Sequence, residues 1–371
     1  MMAAADTTSV RDDTKNYRKL FMAGRALIDV RAPVEFLKGS VPGAVNLALM
    51  TDSEREAVGI AYKNEGQEAA VALGHTLVQG VTKSDRVSAW AAFAAKNPRG
   101  YLFCMRGGMR SQISQRWMLE AGSPYPLVTG GYKALRRFLI EELGRLIAQT
   151  DFIIVAGRTG TGKTDFLGAV SHSLDLEGLA NHRGSSFGRR IGDQPSQINF
   201  ENALAVALMK LTHRADGQIF IEDESRRIGA LEVPPELAAK MSTAPVVLIE
   251  EPLDARVDII HRDYVSGMRE EYDAFFGEKG GEEHATFLLE ALARIKKRLG
   301  GARYQDLDGL MQQAFETQQH GGSDAAHRIW ISRLLTDYYD PMYEYQLGNH
   351  GREILFSGRR ADAVEWARTR N

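Results

Sequence analysis

The sequence predicts an α/β protein built from two parallel-sheet units in tandem, the second with a helical extension. Three observations carry this reading. Short apolar runs of strand length alternate with helical patterns as far as about residue 137. A second alternation opens at FIIVA (152–156) and continues through QIFIED (218–223) and APVVLIEE (244–251). Residues 254–300 are helix-rich and charged, and the chain from about residue 323 reads as mostly helical.

Bulk properties narrow the class. A length of 371 residues suits two domains, and 44% hydrophobic with 25% charged residues is ordinary for a protein that buries a core. No uncharged apolar run is long enough for a transmembrane helix, so no membrane association is expected. The N-terminus, MMAAADTTSVRDDTKNYRK, lacks the apolar stretch of a secretory signal. The single cysteine, Cys104, cannot form an internal disulfide, which fits a reducing cytoplasm. A monomer is expected, since nothing in the chain demands a partner copy. The net charge of −2 supplies no global attraction to nucleic acid. Any anion binding must come from local patches, and two stand out: CMRGGMRSQISQR (104–116) and NHRGSSFGRRI (181–191), each with three arginines and no acid.

Taken in order, ALIDV (26–30) reads as a buried strand followed by loop chemistry and a short apolar segment. GQEAAVALGHTLVQ (66–79) and SDRVSAWAAFAAKN (84–97) read as helices, the second with Ser84 as N-cap and Pro98 beyond its end. GYLFC (100–104) is a strand, SQISQRWMLEAG (111–122) a helix and PLVTGG (126–131) a short strand. These elements place a first domain at residues 12–137. Leu135, Phe138, Leu139, Leu143, Leu146 and Ile147 form one apolar stripe, so residues 138–150 are expected to be a connecting helix packed between the halves. Residues 151–371 form the second domain.

GRTGTGKT (157–164) matches G-x-x-x-x-G-K-[ST] between an apolar strand and a helical pattern. Gly157, Gly160 and Gly162 let backbone N–H groups turn toward phosphate oxygens. Lys163 adds a positive charge, and Thr164 offers a hydroxyl to Mg²⁺. The carboxylates that end QIFIEDES are candidates to hold that ion, Asp223 or Glu222 foremost. The loop specifies a di- or triphosphate with metal, not which one.

Cys104 ends a strand, and the turn that follows brings backbone N–H groups, a helix N-terminus, Arg106 and Arg110 near the sulfur, an environment that favours thiolate. Cys104 and Arg110 also fit the C-x5-R spacing of cysteine phosphatases, although no general acid is evident nearby.

The stretch LIDVRAPVEFLKGSVPGAVNL (27–47) resembles the rhodanese signature, with Asp29, Arg31, the Glu35–Phe36 pair and the turn from Gly39 to Asn46. Rhodanese-like domain followed by P-loop domain, with CMRGGMRSQ, GRTGTGKT, LEGLANHRGSSFG, IEDESRRIG and LLTDYYDPMYEYQL, resembles the tRNA 2-selenouridine synthase family over nearly the whole chain. The resemblance implies conversion of 2-thiouridine to 2-selenouridine at the first anticodon position. It proceeds through S-geranyl-2-thiouridine, with geranyl diphosphate and selenophosphate as co-substrates. Cys104 would carry selenium as S-selanylcysteine, with Arg106 and Arg110 holding the selenophosphate anion or stabilising the selenolate. Geranyl diphosphate carries a diphosphate that the phosphate loop with Mg²⁺ could cradle, an NTP being the other candidate ligand of the loop. Arg183, Arg189, Arg190, Arg226 and Arg227 are candidate contacts to tRNA or diphosphate. Tyr338, Tyr339, Tyr343 and Tyr345 read equally well as base-stacking or as core aromatics. The partners implied are the tRNA anticodon region and a selenophosphate-supplying enzyme. The competing reading is a thiosulfate-type sulfurtransferase fused to a P-loop NTPase.

Overall fold

Two short parallel sheets, buried at their central strands, organise the chain. In the computed structural model, residues 11–214, 217–347 and 351–370 are described. They fall into two compact units, Met1–Arg145 with Ser196–Lys210, and Leu146–Pro195 with Leu211–Asn371. The stretch Ser196–Lys210, which the sequence reading left inside the second domain, groups with the first unit.

In the N-terminal unit the strands are β1 (Leu27–Asp29), β2 (Ala44–Asn46) and β3 (Tyr101–Phe103), parallel in the order β2-β1-β3. Register pairs Asp29 with Asn46 and with Phe103, so all three strands end together. PLVTGG contributes only isolated bridges, Leu102 to Leu127 and Thr14 to Val128, rather than a strand. Pro126 has no N–H to donate, and Gly130 and Gly131 both take positive φ, which ends the extended stretch. Trp90 and Trp117 stack at the centre of the core at 6.4 Å between centroids. The helix expected from Ser84 starts at Gly80, with Ser84 inside it. Its buried face, Trp90 and Ala94, sets the helix and needs no serine cap. A helix not anticipated above, Asp52–Glu65, carries a capping box in which Thr51 Oγ1 accepts from Glu54 N and the Glu54 carboxylate accepts from Thr51 N.

The second unit holds β4 (Phe152–Ala156), β5 (Ser173–Leu174), β6 (Ile219–Glu222), the hairpin β7 (Arg227–Ile228) and β8 (Leu231–Glu232), β9 (Val246–Ile249) and β10 (Ile354–Gly358). The main sheet is all parallel in the order β10-β9-β4-β6-β5. β4, β6 and β9 are buried at every position, as a sheet covered on both faces requires. The C-terminal part is thus not wholly helical, since β10 adds an edge strand beside β9. Helices Gly280–Leu299, Gly301–Gln319 and His327–Leu334 bury Leu288, Leu292, Met311 and Trp330 in a separate apolar cluster. No helix among the described residues is long and apolar enough to cross a membrane.

One buried ion pair fixes the loops around the first sheet. Asp29 and Arg31 are 0% and 1% exposed. Arg31 Nη2 donates to Asp29 Oδ2 at 2.6 Å and to Gly39 O at 2.8 Å, and its guanidinium lies 3.8 Å from the Tyr132 ring centroid. Ser40 Oγ donates to Asp29 Oδ2 at 3.1 Å. Removing one partner leaves the other charge buried without compensation, which costs about 3–5 kcal/mol. Asp29→Ala is therefore expected to lower the stability of this unit by that amount in urea unfolding followed by tryptophan fluorescence, whereas exposed Glu56→Ala changes it by less than about 0.5 kcal/mol.

Candidate functional site

The cysteine loop is built where β3 ends. Cys104 is 3% exposed, and the helix Met109–Glu120 begins five residues later, two residues before the expected start. The turn between them depends on glycine. Gly107 has φ of 67°, and a Cβ on Gly131 would lie 2.3 Å from Cys104 O and 2.6 Å from Gly107 N. The N–H groups of Met105, Arg106, Gly107 and Gly108 donate to no other described residue, so the loop presents a row of unpaired donors beside the helix N-terminus. Tyr132 N and Lys133 N anchor the loop by donating to Cys104 O and Met105 O, each at 2.9 Å. Ser111, which the sequence reading did not single out, places its Oγ 3.2 Å from Cys104 Sγ and donates to Gly108 O at 2.9 Å.

The two loop arginines differ. Arg106 is exposed. Arg110 Nη1 and Nη2 donate to the two carboxylate oxygens of Glu35 at 2.6 and 3.1 Å. Burial opposes the Arg110 charge, but the Glu35 bond and charge outweigh it and hold the guanidinium above its ordinary value, with Cys104 and Asp29 adding to the effect. Burial likewise pushes the Glu35 carboxyl up, and Arg110, Ala32 N–H and Arg55 together bring it below the usual range. A phosphatase uses the C-x5-R guanidinium to clamp a phosphate in bidentate fashion. Here both ends of the fork are committed to Glu35.

In the second unit the phosphate loop joins β4 to the helix Lys163–Ala169. Gly160 and Gly162 have φ of 84° and 76°, conformations that suit glycine. Lys163 Nζ donates to Gly157 O at 3.0 Å. Arg256, 2% exposed, holds the loop from behind, with Nε donating to Thr159 O at 2.8 Å and its fork gripping Asp340 at 2.6 and 3.0 Å.

The loop opens on a cavity of about 530 Å³ with two kinds of wall. Lys163, Thr164, Arg183, Arg190 and Arg298 face it, and so do Ile260, Tyr264, Tyr338, Tyr339, Met342 and Tyr343. Two π-helical turns, His261–Ser266 and Leu335–Tyr339, supply several of these aromatics, and such turns recur at functional sites. Arg183 lies 5.0 Å from the Tyr264 ring centroid and donates to Asp263 O at 3.0 Å. Arg190 Nε is buried with no partner among the described residues. Of the other candidate arginines, Arg189 and Arg226 are exposed and Arg227 pairs with Glu232 at 2.6 Å; none of the three lines the cavity. Tyr345 is 77% exposed and is also outside it.

The carboxylates separate by burial. Asp223 lines the cavity and is held by Arg352 through two bonds of 2.9 Å. Glu222 does not reach it. It is 1% exposed, and its Oε2 accepts from Leu176 N at 2.7 Å and Glu177 N at 3.3 Å at the start of a short helix. Burial first, then Asp175 and Glu177, push its carboxyl up to about 10. Glu224 takes the place expected for Glu222 and lines the cavity with Glu177. Burial, then the charge and hydrogen bond of Glu177, push Glu224 up to about 8, against the pull of Lys163. Thr164, Asp223 and Glu224 offer hard oxygens that fit Mg²⁺. No group of three or more His, Cys, Asp or Glu that could hold a metal occurs among the described residues, so such an ion would share its coordination with ligand phosphate.

Comparison with known proteins follows these two sites. The family model described as "tRNA 2-selenouridine synthase AAA domain" matches residues 150–371, and that of the "Rhodanese-like domain" matches residues 13–137. The chain is 53% identical to the tRNA 2-selenouridine synthase of Marinobacter nauticus over 97% of its length and 98% of the relative's. It is 49% identical to that of Pseudomonas aeruginosa over 97% and 98%. With that of Cupriavidus pinatubonensis it shares 47% over 98% and 100%.

The raised Glu222 carboxyl has a sign that can be checked. Below its ordinary value of 4.5 the group is protonated in folded and unfolded chains alike. Between 4.5 and about 10 the folded state holds the proton that the unfolded state has lost, so stability falls as pH rises through this window. Glu222→Gln keeps an acceptor for Leu176 N and removes the titration. Its unfolding midpoint is expected to fall less than that of the unaltered protein between pH 5 and 9 in parallel urea titrations.

Proposed function

The chain belongs to the tRNA 2-selenouridine synthase family, and from that premise we propose that it exchanges the sulfur of 2-thiouridine at the first anticodon position of tRNA for selenium in two steps, one in each unit. In the first step the thiocarbonyl sulfur attacks C1 of geranyl diphosphate. The S–C bond forms, the C–O bond to diphosphate breaks, and the uridine N3 proton is lost to water. In the second step selenium from selenophosphate attacks C2. The Se–C2 bond forms, the C2–S bond breaks, geranylthiol leaves with a proton, and water takes the phosphoryl group from selenium as phosphate. Alkylation matters because a thiolate leaves where a thiocarbonyl sulfur does not.

The observation that carries this reading is the mixed character of the phosphate cavity. A prenyl diphosphate needs phosphate donors joined to an apolar wall, and Lys163 with Ile260, Tyr264, Tyr339 and Met342 supplies both. Lys163, Arg183 and Arg190 would stabilise charge growing on the departing diphosphate. Tyrosine faces would favour positive charge developing on the allylic carbon. Mg²⁺, when bound near Thr164, Asp223 and Glu224, would neutralise diphosphate charge. In the N-terminal unit, Cys104 and the row of unpaired N–H groups would handle selenium, with exposed Arg106 drawing in the selenophosphate anion.

The test is mass analysis of wobble nucleosides from tRNA incubated with geranyl diphosphate, selenophosphate and Mg²⁺. Lys163→Ala is expected to slow geranylation about a hundredfold, the scale of losing one charge-stabilising donor. Cys104→Ala is expected to leave geranylation intact and abolish selenation. Normal geranylation by Lys163→Ala would remove the diphosphate from the phosphate loop.

A further inference from the structure

The N-terminal unit contains a half-open apolar cavity that neither loop accounts for. A cavity of about 360 Å³ lies beside the helix Met109–Glu120, whose first turn closes the cysteine loop. Met50, Val71, Gly74, Met109, Ile113 and Trp117 wall it. Its polar contributors are Tyr62, Gln67, His75 and Arg110, and the Arg110 fork is already bound to Glu35. A chamber so lined has no uncommitted arginine or lysine for an anion and no cluster of metal donors, so its ligand is an uncharged apolar group.

Position and size narrow the ligand. Leu49, Met50, Val78 and Trp117 line the cavity and belong to the same packed cluster as Cys104, and Met109 and Arg110, in the first turn of the helix that follows the cysteine loop, line it too. An apolar cavity of about 150 Å³ admits benzene. By that ratio, about 360 Å³ admits a chain of roughly ten to fourteen carbons. Under the two-step reading, the nucleoside that reaches the selenium site carries a branched ten-carbon chain on the sulfur bonded to C2. That chain has lost its diphosphate and is uncharged.

We propose that this cavity is the geranyl site of the selenium-transfer step, seating the apolar chain of S-geranyl-2-thiouridine so that C2 faces the Cys104 loop. The assignment rests on the two-step reading. It separates two prenyl sites by charge: the diphosphate form binds where Lys163 and arginines face an apolar wall, and the neutral thioether binds where the cations are committed.

Gly74 provides the test. It lies within the helix Gln67–Leu77, and a Cβ added there meets only Val58 Cγ2, at 3.8 Å. Gly74→Leu therefore fills the cavity while raising helix propensity, and Val71→Phe fills it from the preceding turn. The full-length protein is given anticodon stem-loop RNA carrying S-geranyl- or S-methyl-2-thiouridine, with selenophosphate, and kcat/KM for selenation is measured for each. Both variants are expected to convert the S-geranyl RNA at least tenfold more slowly than the unaltered protein. Selenation of the S-methyl RNA and geranylation of 2-thiouridine RNA are expected to be unchanged. Unchanged conversion of the S-geranyl RNA by both variants, or equal slowing on both RNAs, overturns the assignment. Failure of the unaltered protein to convert the S-geranyl RNA overturns the two-step reading and this site with it.

Discussion

Both reacting loops depend on one constraint: a buried parallel strand must hand its chain to a helix at the carboxyl edge of the sheet. There the loop N–H groups and the first N–H groups of the helix have no carbonyl to pair with. β3 and β4 each end this way, one at Cys104 and the other at the phosphate loop. Parallel strands cannot be joined by tight turns, so each loop is free to be shaped by glycine rather than by hairpin geometry. The same backbone physics thus leaves N–H groups at the ends of both strands, and the side chains added to each loop differ.

Arginine commitment divides the work within those sites. Arg31, Arg110, Arg256 and Arg352 each grip a carboxylate and serve to hold loops in place. Arg183 makes only a backbone hydrogen bond and an aromatic contact, and Arg190 keeps a buried Nε without partner among the described residues. A guanidinium already paired in bidentate fashion has little left for a ligand, whereas one facing a cavity without a carboxylate gains most when an anion arrives. Lys163 sits between these cases, resting on Gly157 O in a bond that a phosphate can replace.

Much of the site was legible because its parts are close in sequence. The glycines of GRTGTGKT and the C-M-R-G-G turn impose their backbone locally, so Lys163 and Cys104 could be placed from neighbours alone. Asp29 and Arg31 are two residues apart and pair directly. The misreadings involve partners distant in the chain. Arg110 meets Glu35 across 75 positions, which no local pattern reports. β10 was missed because its only strand partner, β9, lies about a hundred residues upstream. The capping box at Thr51 was, by contrast, available in the sequence and marks the helix that was not anticipated.

By itself the sequence determined the two α/β units, the phosphate loop, the cysteine at a strand end and the family resemblance, since each rests on a short run whose geometry its own residues impose. Only the tertiary structure decided which groups face a ligand. QIFIEDES holds three consecutive acids, and burial and partners separate them: Glu222 is enclosed under a helix start, Asp223 is held by Arg352, and Glu224 shares the cavity with Glu177. The apolar chamber beside the cysteine loop likewise draws its walls from residues 49 to 117. The space between them exists only once the helices have packed.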